Sequence, residues 1–358
     1  MRLRHLWLTD FRSYESAELE PAPGLTAVVG ANGQGKTNLL EAVAWLATLS
    51  SFRGAPGEAL VRVGQPKAIV RAEVEREGRT ALLEAELAPA GRDRVLVNRQ
   101  PLRRARDVLG HVRATVFSPD DLALVKGGPA ERRRFLDDAL VACAPKHEAT
   151  RGDLDRILRQ RNTLLKQSGG RLSPEVEATL EVWDAKLAEV GERLVLARER
   201  LIERLEPVVA KAYDAVASQA AAVSLAYEAP WREAGLAAAL AAARTDDLRR
   251  GVSTVGPHRD ELQLSINGLP ARTHASQGEQ RSLALALRLG SHEVVGDVTG
   301  SPPILLLDDV FSELDADRGA ALVRSLPPGQ AILTTAGSLP EGASPELVVR
   351  IAAGRIVD

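Results

Sequence analysis

The chain has 358 residues, 45% hydrophobic and 26% charged, with a formal net charge of −2. This suits a globular protein with one large core and a smaller second domain, and it excludes a polycation, so any nucleic-acid contact must come from a local basic face. A single cysteine, Cys143, excludes an internal disulfide and a cysteine-based metal cluster and fits a reducing compartment.

The first ten residues are too short and too interrupted for a signal peptide, and no apolar run is long enough to span a bilayer. A cytoplasmic location is therefore expected. Residues 2–9 and 25–30 are predicted strands, joined through Asp10–Tyr14 and a proline-rich turn at Pro21–Gly24. The second strand runs straight into Gly30-Ala31-Asn32-Gly33-Gln34-Gly35-Lys36-Thr37. This fits the P-loop pattern G-x-x-x-x-G-K-[ST], and each part has a physical reason. Glycines let the backbone curl so that its N–H groups face phosphate oxygens. Lys36 reaches the β- and γ-phosphates, and the Thr37 hydroxyl can hold a Mg²⁺ bridging them. From Asn38 to Leu46 the apolar spacing is helical, which sets the phosphates at a helix N-terminus.

Ala68–Arg76 and Arg79–Ala88 alternate apolar and polar residues around Glu77-Gly78, a hairpin signal, and Val95–Asn98 adds a short strand. Arginines then crowd the chain at Arg99, Arg103, Arg104, Arg106 and Arg113, and again at Arg132, Arg133 and Arg134. Arg103, Arg104, Arg106 and Arg132–Arg134 are the candidate phosphate contacts to DNA. Val116–Leu122 is expected to be a loop, and Pro129 suits the first turn of a helix.

From Lys146 to about Ala220 glycine is scarce apart from Gly169-Gly170. Ser173-Pro174-Glu175 is a helix start, and Trp183, Leu187, Val190, Leu194, Ala197 and Leu201 recur at coiled-coil spacing. The preceding stretch, with Leu154, Ile157, Leu158, Leu164 and Leu165, is its expected partner in a short antiparallel arm. Pro207 is expected to kink or end the second helix. A strand at Ala222–Tyr227, a helix at Leu236–Arg244 and a strand ending at Asn267-Gly268 follow. The expected division is an amino-terminal ATPase part over 1–125, a helical domain over 126–250 and a carboxyl-terminal ATPase part over 251–358.

Ile304–Asp308 is an apolar strand ending in two acids, the form of a Walker B motif. Asp308 is placed to hold Mg²⁺ opposite Thr37, and Asp309 to orient or activate the attacking water, with Lys36 as the second catalytic group. Ser276-Gln277-Gly278 opens a helix and offers a hydroxyl, free N–H groups and the positive dipole end, a second anion site. Two anion sites and one nucleotide suggest a twofold dimer, with Ser276 and Gly278 of each subunit capping the nucleotide on the other's P-loop.

Walker A, signature loop, Walker B and the Phe311–Asp315 D-loop occur in the order of the ABC-type ATPases, which the chain resembles. The interval from residue 37 to residue 304 points to the structural-maintenance group rather than transporters. Within it the chain closely resembles the RecF-like family, on Phe11–Tyr14, Phe117–Asp121, Gly128–Asp137, Gly256–Asp260 and Ser276–Gln280. The resemblance implies an α/β head of mixed sheet and flanking helices with a helical arm. It implies ATP and Mg²⁺ as cofactors, ATP-dependent dimerisation, slow, weak, DNA-dependent ATP hydrolysis, and binding of duplex or gapped DNA. It also implies work with RecO and RecR to load RecA in the DNA-damage (SOS) response. Arg12 resembles the family's arginine near the nucleotide phosphates. His258, Arg259 and Asp260 belong either to a dimer or nucleotide edge or to a structural ion pair. Thr334-Thr335 stands where transporters carry a switch histidine, and Asp309 replaces the more usual glutamate; both suit a slow ATPase. A transporter energy subunit, another DNA clamp of the structural-maintenance type and a metabolic P-loop kinase are the rival readings.

Overall fold

The structure is a computed structural model that describes residues 1–217 and 219–357. The chain opens with β1 (Arg2–Phe11), β2 (Tyr14–Leu19) and β3 (Leu25–Val29), and the P-loop leads into α1 (Lys36–Thr48). Strands β4 (Ala68–Arg76), β5 (Arg79–Leu87), β6 (Arg94–Val97), β7 (Gln100–Pro101) and β8 (Ala114–Phe117) follow. Next come α2 (Ala123–Lys126), α3 (Pro129–Cys143), α4 (Lys146–Gln167) and α5 (Pro174–Val216). They lead to β9 (Val223–Glu228), α6 (Leu236–Arg250), β10 (Glu261–Ile266), β11 (Leu269–Pro270) and α7 (Ala271–His274). The chain closes with α8 (Gln277–Thr299), β12 (Ile304–Asp308), α9 (Ala316–Arg324), β13 (Ala331–Thr335), β14 (Leu347–Ala352) and β15 (Arg355–Val357).

Two units divide these elements. The first holds Met1–Leu122, Val208–Ala221 and Ser276–Asp358; the second holds Ala123–Pro207 and Ala222–Ala275. The expected boundary at 250/251 shifts, because β10 pairs antiparallel with β9 in a sheet of order β11-β10-β9 and carries residues 251–275 into the second unit.

The first unit contains two sheets. One is antiparallel, with order β2-β1-β4-β5-β6-β7. The other has order β15-β14-β3-β13-β12-β8 and is parallel except for its edge strand β15. Helix α1 is apolar almost all round, and its Leu39, Leu40, Val43 and Trp45 share one core with Leu6 and Val70 of the first sheet and Ile304, Leu306 and Ile332 of the second. The other face of the parallel sheet buries Leu305, Leu307 and Leu333 against Val216, Leu285, Leu289 and Leu322 of α5, α8 and α9. Strand β12 alternates between these two cores, so it reads as an unbroken apolar run. Val116 and Phe117, expected in a loop, are the end of β8, which pairs parallel with β12. Tyr14, also expected in a loop, opens β2.

The second unit corrects the two-helix arm. Leu165, Leu180 and Leu248 of α4, α5 and α6 form one small core, so a third helix joins the predicted pair. The seam of α5 is buried at Leu187, Val190, Leu194 and Leu201. Opposite Gly191, however, stand Leu236 of α6 and Pro257; a Cβ on that glycine would lie 2.4 Å from Leu236 Cδ2. The predicted reversal at Gly169-Gly170 is present, with both residues at positive φ. Helix α5 does not end at Pro207 but runs through it to Val216, with Leu205 and Val209 fully buried on either side. Among the described residues no helix is long and apolar enough to cross a membrane.

A fully buried arginine pins the three helices. Arg161 of α4 donates from Nε to Asp184 of α5 at 2.7 Å and from Nη1 to Asp247 of α6 at 2.6 Å. Breaking one side of such a pair strands charge in the interior. Arg161→Leu should lower stability by about 3–5 kcal/mol, read as a shift in the urea midpoint. A double change at Asp184 and Asp247 to uncharged residues in that background should recover part of the loss.

Candidate nucleotide-binding site

The P-loop leaves the carboxyl end of β3, in the middle of the parallel sheet. Register places Val28 beside Thr334 of β13, and Thr334 beside Asp308 of β12. Open α/β sheets bind ligands at this end of their strands. Gly33 and Gly35 adopt positive φ of 78° and 111°, which supplies the curl of the loop. Lys36 is buried, and its ammonium donates to the carbonyls of Gly30 at 2.7 Å and Ala31 at 3.0 Å. These bonds hold the cation inside the mouth of the loop formed by Gly30, Ala31, Asn32, Gly33, Gln34 and Gly35.

Thr37, at the first turn of α1, donates its hydroxyl to Asp308 Oδ1 at 2.8 Å. Thr334 donates to the same oxygen at 2.9 Å and accepts from the Asp309 N–H at 3.0 Å. Burial pushes the Asp308 carboxyl above its ordinary pKa; the bonds from Thr37 and Thr334 oppose that, neighbouring Asp309 adds to it and Arg53 counters it. A buried carboxylate beside a hydroxyl at the phosphate end of a P-loop is the donor set for Mg²⁺, so Thr37 and Asp308 fit the metal. The Thr334 hydroxyl is committed to this carboxylate and to the Asp309 N–H. Asp309 is half-buried, in the left-handed region at φ 49°, at the start of a tight helical turn. Backbone strain of that kind persists where the surrounding fold enforces it, and it collects at functional sites.

Flanking elements brace the loop. Tyr14, fully buried on β2, donates to the Gly35 carbonyl at 2.9 Å. Asn38 donates to the Ser13 hydroxyl, and Arg53 to the Asn38 side-chain oxygen at 3.3 Å. The β14–β15 turn reaches Gln34, with Ala353 N–H on its side-chain oxygen and Gly354 N–H on its carbonyl at 3.1 Å. Arg12 lies beside this loop, but its guanidinium is bidentate to fully buried Glu41 at 2.8 and 2.7 Å. Glu41 and Arg53 were not marked by the sequence pattern, and Tyr14 was marked only as part of the Phe11–Tyr14 motif. Glu41, an acid on an otherwise apolar helical face, was the one available signal.

The helix start expected to offer a second anion site is a fully capped one. Ser276 caps α8 in a capping box: its hydroxyl accepts from Glu279 N–H at 3.3 Å and its own N–H donates to the Glu279 carboxylate at 2.7 Å. Gly278 follows in the first turn. Asp315 of the D-loop caps α9 by accepting from Arg318 N–H at 2.9 Å.

The proposed DNA arginines separate. Arg132 is a correction: it is buried and bidentate to Glu261, with Nη1 on the carbonyls of Leu124 and Gly127, so four of its five N–H groups are spent inside the protein. Arg133 donates to the Asp260 carbonyl, and Arg134 is exposed beside Asp138. Arg103 and Arg104 are exposed and Arg106 is half-buried. Asp260 itself accepts from Tyr227 and Trp231, and His258 and Arg259 both contact the Ser253 carbonyl, so the triplet is held by hydrogen bonds rather than by the ion pair weighed for it.

The family model for the RecF/RecN/SMC N-terminal domain matches residues 2–335. The DNA replication and repair protein RecF of Frankia alni is 48% identical over 354 residues, 94% of this chain and 93% of that protein. The chain belongs to the RecF family. RecF of Streptomyces avermitilis is likewise 48% identical, over 351 residues. The solved recombination mediator protein RecF of the RecFOR pathway, with ATPrS or with ATP, superposes at TM-score 0.91, 30% identity and 99% coverage of this chain. An Smc head bound to the C-terminal winged-helix domain of ScpA shares the fold at TM-score 0.61 and 17% identity.

Removing the Thr334 hydroxyl tests the metal site. That bond holds the Asp308 pKa down, so Thr334→Val should raise it further. Metal binding needs the deprotonated carboxylate, so the acid limb of Mg²⁺-dependent nucleotide binding should move to higher pH. A fluorescent ATP analogue titrated with Mg²⁺ across pH reads the shift.

Proposed function

We propose that this chain is an ATP-gated DNA-binding protein of recombinational repair, acting in the cytoplasm with RecO and RecR to help load RecA at gaps. The hydrogen bond between Thr37 and Asp308, at the mouth of an intact P-loop, carries the reading. Bound Mg²⁺ would neutralise charge on the β- and γ-phosphates. Lys36 and the N–H groups from Gly30 to Asn38 bind the phosphates. Ser276 and the α8 N-terminus cap the nucleotide of a second copy, so ATP joins two chains in a homodimer. Asp309 orients the attacking water and takes its proton, making the protein a slow, weak, DNA-dependent ATPase. Hydrolysis removes the shared group, and the dimer loosens. Nucleotide shifts this equilibrium only through its differential affinity for the joined and separate states.

The duplex or gapped DNA is met mainly through phosphates. Among the described residues Arg99, Arg103 and Arg106 have no ion-pair partner, which supports the stretch after β6 as one basic contact. Arg99 occupies the β6–β7 turn at φ 65°, where the other tight hairpins use Gly78, Gly268 or Gly354. A strained arginine at an exposed tip fits a contact role better than a turn role.

In sedimentation, ATP with Mg²⁺ should convert monomer to dimer and ADP should not; equal dimer with both nucleotides refutes the gate. Asp309→Asn should keep the ATP dimer while turnover falls by a factor of about 100 or more. Duplex binding should weaken linearly in log salt, and Arg103→Ala should reduce that slope by about 1 without changing sequence preference.

A further inference from the structure

Gly278 is an obvious candidate for close approach to a phosphate, yet the space its missing side chain leaves is already filled. A Cβ built there would lie 2.5 Å from Arg318 Nη2 and 2.9 Å from Arg318 Cζ. The guanidinium therefore lies against the first turn of α8. The same side chain is tied to the D-loop: Nη1 pairs with Asp315 Oδ2, while the Arg318 N–H donates to Asp315 Oδ1. One residue thus touches both loops that the dimer reading turns toward the partner's nucleotide. A planar guanidinium can stack on a peptide surface and hold a carboxylate at once, which an ammonium cannot. Acidic Glu279, closed in the capping box with Ser276, stands on the same turn.

We propose that Arg318 is a positioning residue that locks the signature turn to the D-loop, so that Ser276 and Asp315 meet the nucleotide of the second copy as one rigid surface. The inference rests on the dimer reading above. Arg318 acts through these loops and does not itself contact the nucleotide bound to its own P-loop. The Arg318 guanidinium occupies the space a Cβ at Gly278 would take.

The test uses the full chain with Arg318→Met, Arg318→Lys, Gly278→Ala and the pair Gly278→Ala/Arg318→Met. Arg318→Met should bind a fluorescent ATP analogue as a monomer within about twofold of the parent, because the P-loop is untouched. Its ATP-dependent dimer should be weaker by about tenfold or more, the loss expected for a charge-assisted bonded pair. Arg318→Lys should fall between the two. Gly278→Ala should copy Arg318→Met, and the double variant should be no worse than either single one. Mixing Arg318→Met with Lys36→Ala should give more ATPase activity than the sum of the two measured alone. One composite site then takes its P-loop from the first chain and its signature and D-loop from the second.

Parent-like dimerisation by Arg318→Met, additive losses in the double variant, or a mixture no more active than the sum of its two chains while the parent dimerises would overturn this proposal alone. A parent chain that fails to dimerise with ATP would overturn it together with the dimer reading.

Discussion

The bond from Thr37 to Asp308 joins residues 271 positions apart and fixes the geometry of the whole nucleotide site. It requires β3, β13 and β12 to lie side by side in one parallel sheet, with registers that bring Val28, Thr334 and Asp308 into line. The apolar runs of those strands make that possible, because both faces of the sheet are buried under α1 on one side and α5, α8 and α9 on the other. At the ends of the same strands the chemistry changes abruptly from leucine to carboxylate. Burying Asp308 opposes its ionisation, and two threonine hydroxyls partly compensate. The core and the charged site are thus set by the same few strands.

Much of this was legible in the sequence because it is local. The P-loop, the Walker B strand, the serine cap and the hairpin at Glu77-Gly78 each announce themselves within about ten residues, through glycine, alternation or a capping residue. What was not legible depends on distant partners. Val116-Phe117 lacks the length to declare a strand and becomes one only beside β12. Arg12 and Arg132 look like free cations in a list of residues; each is claimed by a remote acid, Glu41 and Glu261. The heptad spacing of α5 correctly marked its buried side, but spacing cannot say which helix covers it, and α6 shares that place with α4.

The second unit shows how buried charge can specify packing. Arg161 ties three helices, and Arg198 of α5 is bidentate to Asp137 of α3 while also donating to Tyr227 and the Pro257 carbonyl. Burial and the pair with Asp137 act oppositely on Arg198, and the pair prevails, keeping the guanidinium charged. Tyr227 and Trp231 both donate to Asp260, so the motif Gly256–Asp260 is anchored from the strand β9 side as well. Such networks constrain helix register more sharply than aliphatic contacts do, since a slip of one residue would leave several ions unpaired.

The turn between β14 and β15 holds Gln34 from behind, Gly354 fits against the Ser13 carbonyl, and Gly30 fits against that of Ile351. A turn 319 positions further along the chain therefore completes the loop. A polypeptide cut before β14 would carry the entire Walker A sequence yet lack the backing that shapes it.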